Sequence, residues 1–293
     1  MFKTYVIDGK QIANDIKQEV KYVVENNFSS ENKPTLACIL VGDNPASMSY
    51  VKSKEKACEM CGINSQIYRL NNDCSLEELE SLIVNLNNNE KVSAILLQLP
   101  LPEHLEEHRD YLINLINPVK DVDALTDVNL GKLLAGKELI APCTATGIMK
   151  IIESTGYNVV GKDVVVIGRS LLVGKSVAAL LENANATVTI CHSKSVDLKD
   201  KCSKADLLIV AIGKPKFINK DYVKEGAFVV DVGINRTEQG LVGDVDYDDV
   251  KDLCNYITPV PGGVGPLTVA CLMQNTLTLH ELQLNLNQSF IND

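Results

Sequence analysis

The sequence predicts an α/β protein of two domains built on mostly parallel sheet. Apolar runs of strand length alternate with helical patterns from one end of the chain to the other, the order that yields parallel strands covered by helices. The 293 residues exceed what one hydrophobic core usually serves. A segment holding Pro118, Gly131, Gly136 and Pro142 separates two such alternating series and reads as the crossing between domains.

In the first series the spacing predicts strands over 35–41, 64–70 and 93–99, with helices over 11–26, 46–61, 75–88 and 103–116. The second opens with a helix over 146–154, then an apolar strand over 163–167, a Gly-bearing turn and a helix over 174–183. Strands over 187–191, 206–211 and 227–232 complete a series typical of Rossmann-like nucleotide-binding sheets. The run 207–212 has the length of a buried strand and is far too short for a bilayer. A last helix over 266–285 follows the Gly/Pro-rich 259–266, and the sequence does not show which domain it joins.

Composition narrows the class. Apolar residues make up 45% and charged residues 23%, with no biased tract or solenoid repeat, so collagenous, low-complexity and disordered chains are excluded. The net charge of −10 repels phosphate backbones and anionic lipid, so no nucleic-acid or membrane partner is expected. Residues 1–9 lack the apolar stretch of a signal peptide, and nine scattered cysteines fit reduced thiols, so the expected location is the cytoplasm.

Several residues could do chemistry. The turn from Gly168 to Gly174 joins a strand to a helix, where glycines let the backbone approach a pyrophosphate and the helix amino end attracts its charge. The spacing is unusual: Ser170 replaces the second Gly of the common pattern and the last Gly arrives one residue late. An ordinary βα turn could carry the same residues. After strand 187–191 an NAD site would place an acid; this chain has Ser193 and Lys194, which with Arg169 suit a ribose phosphate and favour NADP.

In the helix over 46–61, Val51, Cys58 and Cys61 mark an apolar stripe, and Lys54 stands on it with Tyr50 one turn earlier. A lysine facing inward needs partners or a depressed pKa, and such lysines serve in proton transfer; the alternative is a lysine that snorkels to water. Gln98 ends a strand where open α/β sheets build ligand crevices, and could orient Lys54 or a substrate carbonyl. Asp121 or Asp123, in the crossing, could accept paired N–H donors of a heterocycle, or could simply shape a turn. The segment 259–266 packs three Gly and three Pro into eight residues, which brings main chain close to a ligand. The H-x-x-E-H match at His104–His108 and the C-x-x-C at Cys58–Cys61 lack partner motifs and read as structural, so no metal site is expected.

Taken in order, these blocks resemble the bifunctional methylenetetrahydrofolate dehydrogenase/methenyltetrahydrofolate cyclohydrolase family. The likeness runs through Ile7–Lys10, Val41–Ser47, Tyr50–Lys54, Gln98–Pro102, Lys120–Asp123, Gly168–Ser170, Asp231–Asn235, Gly243–Val245 and Pro259–Thr268. The resemblance implies that Lys54 is the catalytic lysine, with Tyr50 shaping the folate site, Gln98 tuning the lysine and Asp123 anchoring the pterin. It implies NADP contacts at Gly168, Arg169, Ser170, Gly174, Ser193 and Ile234, and a folate pocket completed by Pro261, Gly262, Gly263 and Thr268. A catalytic domain over 1–145, completed by 267–293 as the last helix returns, and an NADP domain over 146–266 are expected, in a homodimer acting on tetrahydrofolate one-carbon derivatives. The chain departs from the family pattern at Ala124, where Gly is usual, and at Ala145 and Ser176, where Pro is common. A monofunctional NAD(P)-dependent dehydrogenase and a non-catalytic folate- or nucleotide-binding regulator remain open at this point.

Overall fold

The computed structural model describes residues 4–238 and 240–291, the last five of these as helix backbone. The chain forms two compact units, one of Met1–Asn14, Leu133–Lys137 and Pro142–Thr268, the other of Asp15–Lys132, Glu138–Ala141 and Val269–Asp293.

The unit that holds Asp15–Lys132 is built on a three-stranded parallel sheet with Thr35–Val41 between Asn64–Leu70 and Ala94–Leu97. All seven residues of Thr35–Val41 are buried, as an uninterrupted apolar run at the centre of a parallel sheet requires. Helices Pro45–Cys61 and Leu76–Asn88 follow the expected spans, the latter capped by the Ser75 hydroxyl, which accepts from the Glu78 N–H at 3.2 Å. The expected helix over 103–116 is instead two, Glu103–Glu106 and Arg109–Leu115, because the chain tightens at 107–108, where His108 N–H donates to the Leu105 carbonyl three residues back. A helix at Asp127–Leu134 was hidden in the Gly-bearing crossing.

The last helix spans Val264–Ile291, longer than expected, and its later turns pack on this unit as the resemblance implied. Asn275 donates to the Val122 and Ala141 carbonyls at 2.9 and 3.0 Å. Gln283 donates to the Ser93 and Val119 carbonyls at 2.7 and 3.0 Å, and His280 Nδ1 meets the Ser93 hydroxyl at 2.9 Å. Buried side-chain amides that satisfy loop carbonyls hold a helix at one axial position, which apolar contact alone does not do.

The other unit carries a six-stranded sheet, parallel throughout, in the order Tyr5–Val6, Tyr256–Ile257, Phe228–Asp231, Leu207–Val210, Asp163–Ile167, Thr187–Cys191. From Asp163–Ile167 the chain first adds a strand on one side and then crosses to the other, so the order reverses there and opens a crevice at the strands' carboxyl ends. Residues 4–14, expected with the first domain, group here because Tyr5 and Val6 pair with Tyr256 and Ile257. Phe228 stacks on Tyr256 at 4.9 Å and meets Tyr157 edge-on at 5.3 Å beneath that edge.

Candidate active site

In the three-stranded unit the chemistry starts at a strand-turn-helix corner. Gly42 takes φ +78°, and Asn44 caps the next helix by accepting from the Ala46 and Ser47 N–H groups at 3.0 and 3.2 Å, with Pro45 at its first position. The helix buries Ser47, Val51, Ala57, Cys58 and Cys61. Lys54 stands on that same stripe, half-buried, and its Nζ donates to Gln98 Oε1 at 2.8 Å. Gln98 cannot swing away: its N–H donates to Ile39, its amide donates to the Leu99 carbonyl at 2.7 Å, and only 9% of the residue is exposed. Tyr50, one turn before Lys54, is 48% exposed.

The motif of residues 120–123 divides its labour. Lys120 is buried and donates to the Leu86 and Asn89 carbonyls, closing the end of a helix. Asp121 is buried and accepts from Thr126 N–H at 2.8 Å and Asn129 Nδ2 at 3.0 Å, so it is the turn former; burial raises its pKa against those donors. Asp123 is half-buried, and no hydrogen bond from the described residues reaches its carboxylate. Burial pushes the Cys38 thiol up to about 11; Lys54 draws it down and Asp123 raises it, which gathers both charges around one sulfur. Lys54, Gln98 and Asp123 thus share one neighbourhood. Ala124, where the family has Gly, holds φ +52° while buried, a conformation that L residues adopt at a cost.

The second group lies at the switch point of the six-stranded sheet. Ile167 pairs with Cys191, and Gly168 N–H donates to the Cys191 carbonyl at 2.8 Å, so the turns after these two strands are neighbours. Gly168 has φ +127°, and a Cβ on it would lie 2.3 Å from the Ala211 carbonyl oxygen; one on Gly174 would lie 2.2 Å from the Gly168 oxygen. The late glycine is therefore where close helix–turn packing demands it, which explains the unusual spacing. The Ser170 hydroxyl accepts from Val173 N–H at 3.2 Å. Ser176 donates its hydroxyl to the Leu171 carbonyl, so this departure from the family pattern braces the turn. Ala145, the other departure, sits at the third position of helix Cys143–Ser154, where a proline's missing N–H would cost no helical bond. Arg169 and Ser193 are exposed, and neither side chain has an ion pair or hydrogen bond among the described residues.

The third group is the 259–266 loop in the same unit. With Lys10, Asp231–Ile234 and Leu241 it lines a cavity of about 150 Å³. Gly262 takes φ +108°, and a Cβ on Gly263 would lie 2.6 Å from the Pro259 oxygen. Ile234, Pro261, Gly262 and Gly263 share this cavity, and the Thr268 hydroxyl meets that of Thr144 at 3.2 Å. Tyr50, Lys54, Gln98 and Asp123 belong to one compact unit, and the remaining candidates to the other.

Two carboxylates that the residue-by-residue reading passed over organise that second unit. Asp244 is fully buried and accepts from the Ile212, Gly213 and Lys214 N–H groups and from Asn235 Nδ2, all within 2.7–2.9 Å. Asp231 accepts from the Gly233, Asp244 and Val245 N–H groups at 2.9–3.0 Å, and burial pushes its carboxyl up to about 7. The only available signal was their place in the 231–235 and 243–245 blocks.

The refused motifs are used structurally. His104 Nε2 meets the Cys74 carbonyl at 3.0 Å, His108 lies across the helix break, and Cys58 and Cys61 are buried thiols pushed up to about 12 and 11 by burial. Among the described residues no group of three His, Cys, Asp or Glu is arranged to hold a metal ion, and no helix is long and apolar enough to cross a membrane.

Two family models match: the catalytic domain of tetrahydrofolate dehydrogenase/cyclohydrolase over residues 7–123, and the NAD(P)-binding domain of the same over 142–284. The chain is 49% identical over 279 residues to the bifunctional protein FolD of Acetivibrio thermocellus, covering 95% of this chain and 97% of that one. Among solved structures it is similar to the bifunctional FolD methylenetetrahydrofolate dehydrogenase/cyclohydrolase of Campylobacter jejuni, with 46% identity, a TM-score of 0.92 and coverage of 96% and 99%. The Trypanosoma brucei N5,N10-methylenetetrahydrofolate dehydrogenase-cyclohydrolase, solved with NADP cofactor and inhibitor, matches with 37% identity, a TM-score of 0.91 and coverage of 97% and 99%.

Proposed function

The chain belongs to the tetrahydrofolate dehydrogenase/cyclohydrolase family, and from that premise we propose that it oxidises methylenetetrahydrofolate to methenyltetrahydrofolate with NADP and then hydrolyses the product to 10-formyltetrahydrofolate. NADP, when bound, accepts the hydride that leaves the methylene carbon. The residues suit that cofactor: the Gly168–Gly174 turn is drawn so tight that a Cβ on either glycine would strike main chain, and Arg169 and Ser193 offer uncommitted donors at adjacent strand ends. Arg169 and Ser193 would take the ribose phosphate, while Gly168, Ser170 and Gly174 would admit the pyrophosphate and Ile234 would flank the nicotinamide end.

Hydrolysis adds water to the methenyl carbon, opens one carbon–nitrogen bond and releases one proton. Lys54 is the group placed to relay that proton, Gln98 holds its Nζ by the 2.8 Å hydrogen bond, and Asp123 keeps a free carboxylate for the N–H groups of the pterin. Tyr50 would flank the folate ring system. The first catalytic unit thus supplies folate chemistry and the second binds NADP, in a cytoplasmic homodimer.

The Lys54–Gln98 hydrogen bond carries this reading, since it turns a costly inward lysine into an oriented one. The test follows methenyltetrahydrofolate absorbance with NADP and with NAD in parallel, and then its decay. The expected result is faster formation with NADP, decay in the intact enzyme, and loss of enzymatic decay in Lys54→Met with NADP affinity retained. Full cyclohydrolase activity in that variant would refute the role of Lys54.

A further inference from the structure

A carboxylate that shapes a turn serves N–H groups a few residues along the chain. Buried Asp244 does not work that way: its donors lie 30–32 residues off, in Ile212, Gly213 and Lys214, and 9 residues off in Asn235. The three N–H groups follow strand Leu207–Val210, and Asn235 follows Phe228–Asp231, its neighbour in the sheet. One charged group thus ties two adjacent strand ends together through charge-assisted hydrogen bonds. Its own N–H is held in turn by Asp231 Oδ1 at 2.9 Å.

Both tied segments belong to the cofactor-facing end of this unit. The first abuts the Gly168–Gly174 turn, since a Cβ on Gly168 would lie 2.3 Å from the Ala211 oxygen. The second presents Ile234, 48% exposed, to the cavity of the 259–266 loop. Both chain neighbours of Ile234 rest on Asp244. A Cβ on Gly233 would lie 2.2 Å from the Asp244 carboxyl carbon, and Asn235 Nδ2 donates to Asp244 Oδ1 at 2.8 Å. An apolar side chain makes no directional bond of its own, so its place is set by the polar bonds of its neighbours. We propose that Asp244 is a positioning residue for the dehydrogenase step, fixing through Gly233, Asn235 and the 212–214 main chain where Ile234 meets the nicotinamide end of NADP. This rests on the NADP reading of the unit. Arg169 and Ser193, offered to the ribose phosphate, follow the other strands Asp163–Ile167 and Thr187–Cys191, so the two ends of the cofactor can be perturbed separately.

The experiment compares the intact enzyme with Asp244→Asn, which sets an amide against N–H donors, and with Asn235→Ala, a milder change that leaves the three main-chain bonds in place. Oxidation of methylenetetrahydrofolate by the intact enzyme tests the underlying reading separately. Calorimetric titration needs no turnover. NADP should bind about tenfold more weakly to Asp244→Asn and about threefold more weakly to Asn235→Ala, whereas adenosine 2′,5′-bisphosphate, which lacks the nicotinamide, should change less than about twofold. With NADP saturating, the dehydrogenase kcat of Asp244→Asn should fall about ten- to a hundredfold, the scale of a displacement of about 1 Å at the reacting atoms. Deuterium on the methylene carbon should then slow this variant more than it slows the intact enzyme. Hydrolysis of methenyltetrahydrofolate, assayed without dinucleotide, should keep its rate in both variants. Equal weakening of NADP and the bisphosphate in Asn235→Ala, or a matching loss of hydrolysis there, would make Asp244 a support of the sheet and overturn the proposal. Unchanged NADP affinity and dehydrogenase kcat in both variants would do the same.

Discussion

Lys54 and Gln98, 44 residues apart, meet at 2.8 Å, with the ammonium donating to an amide oxygen whose own N–H group is tied to the next carbonyl. The amide is therefore a fixed acceptor, and it decides where the lysine points. A glutamate in its place would make a stronger ion pair and hold the proton on the lysine, whereas an amide orients the group without adding a formal charge.

Replacing Gln98 by Leu removes that acceptor with little change in volume. The cyclohydrolase rate should fall about ten- to a hundredfold, the range of one lost hydrogen bond to a charged group. Decay of methenyltetrahydrofolate absorbance reads it, and retention of the full rate would mean that Lys54 is positioned by other groups.

Arg169→Ala should raise KM for NADP by about ten- to a hundredfold and leave KM for NAD within about twofold, because only the phosphate needs the cation. Ser193→Asp should go further and reverse the preference, since the carboxylate repels the phosphate and accepts from ribose hydroxyls. Paired titrations with the two dinucleotides measure both.

Ala124, buried at φ +52°, invites glycine. Relief of the left-handed conformation, about 1–2 kcal/mol, offsets the lost methyl burial of about 0.8 kcal/mol and the added chain entropy of about 0.4–1 kcal/mol. Ala124→Gly should therefore change stability by less than about 1 kcal/mol, whereas Ala178→Gly, inside helix Gly174–Asn183, meets no such relief and should cost more than about 1 kcal/mol. Urea midpoints of the two variants compare them directly.

Asp231 links stability to pH. Its carboxyl is pushed up to about 7 by burial, against about 3.9 in an unfolded chain. Between those values the folded protein holds a proton that the unfolded one lacks, so this residue's contribution is full below about pH 4 and is lost as pH rises through about 7. Asp231→Asn should remove that part of the slope, and thermal midpoints of both proteins at intervals from pH 4 to 8 would show it. Parallel curves would indicate that the three N–H donors, rather than burial, set the carboxyl's titration.

The strands over 35–41, 64–70, 163–167 and 187–191 and the helix over 174–183 were readable to the residue, because each is a local pattern with its punctuation beside it. Nothing local marks the break at 107–108, where neither Gly nor Pro intervenes. Helix Asp127–Leu134 was hidden by Gly131 and starts where the Thr126 carbonyl accepts from Leu130 N–H, in a turn pinned by buried Asp121. At the candidate site the residue types and their spacing singled out Lys54, Gln98 and the glycines of the two loops. The residues alone left Asp121 and Asp123 both open and the resemblance implied Asp123; the hydrogen bonds add that Asp121 is committed to its turn.

From its sequence alone this protein has its element order, its glycine-dependent turns and a lysine on an otherwise apolar helix face, since these depend on residues within a few positions of one another. Tertiary structure decided that Tyr5 pairs with Tyr256, that the last helix is pinned to Ser93 and Val122, and that Asp231 and Asp244 hold the loops beside the cavity. Those are contacts between distant segments, and a buried carboxylate or amide shows which N–H groups it serves only when the chain has brought them within hydrogen-bonding distance.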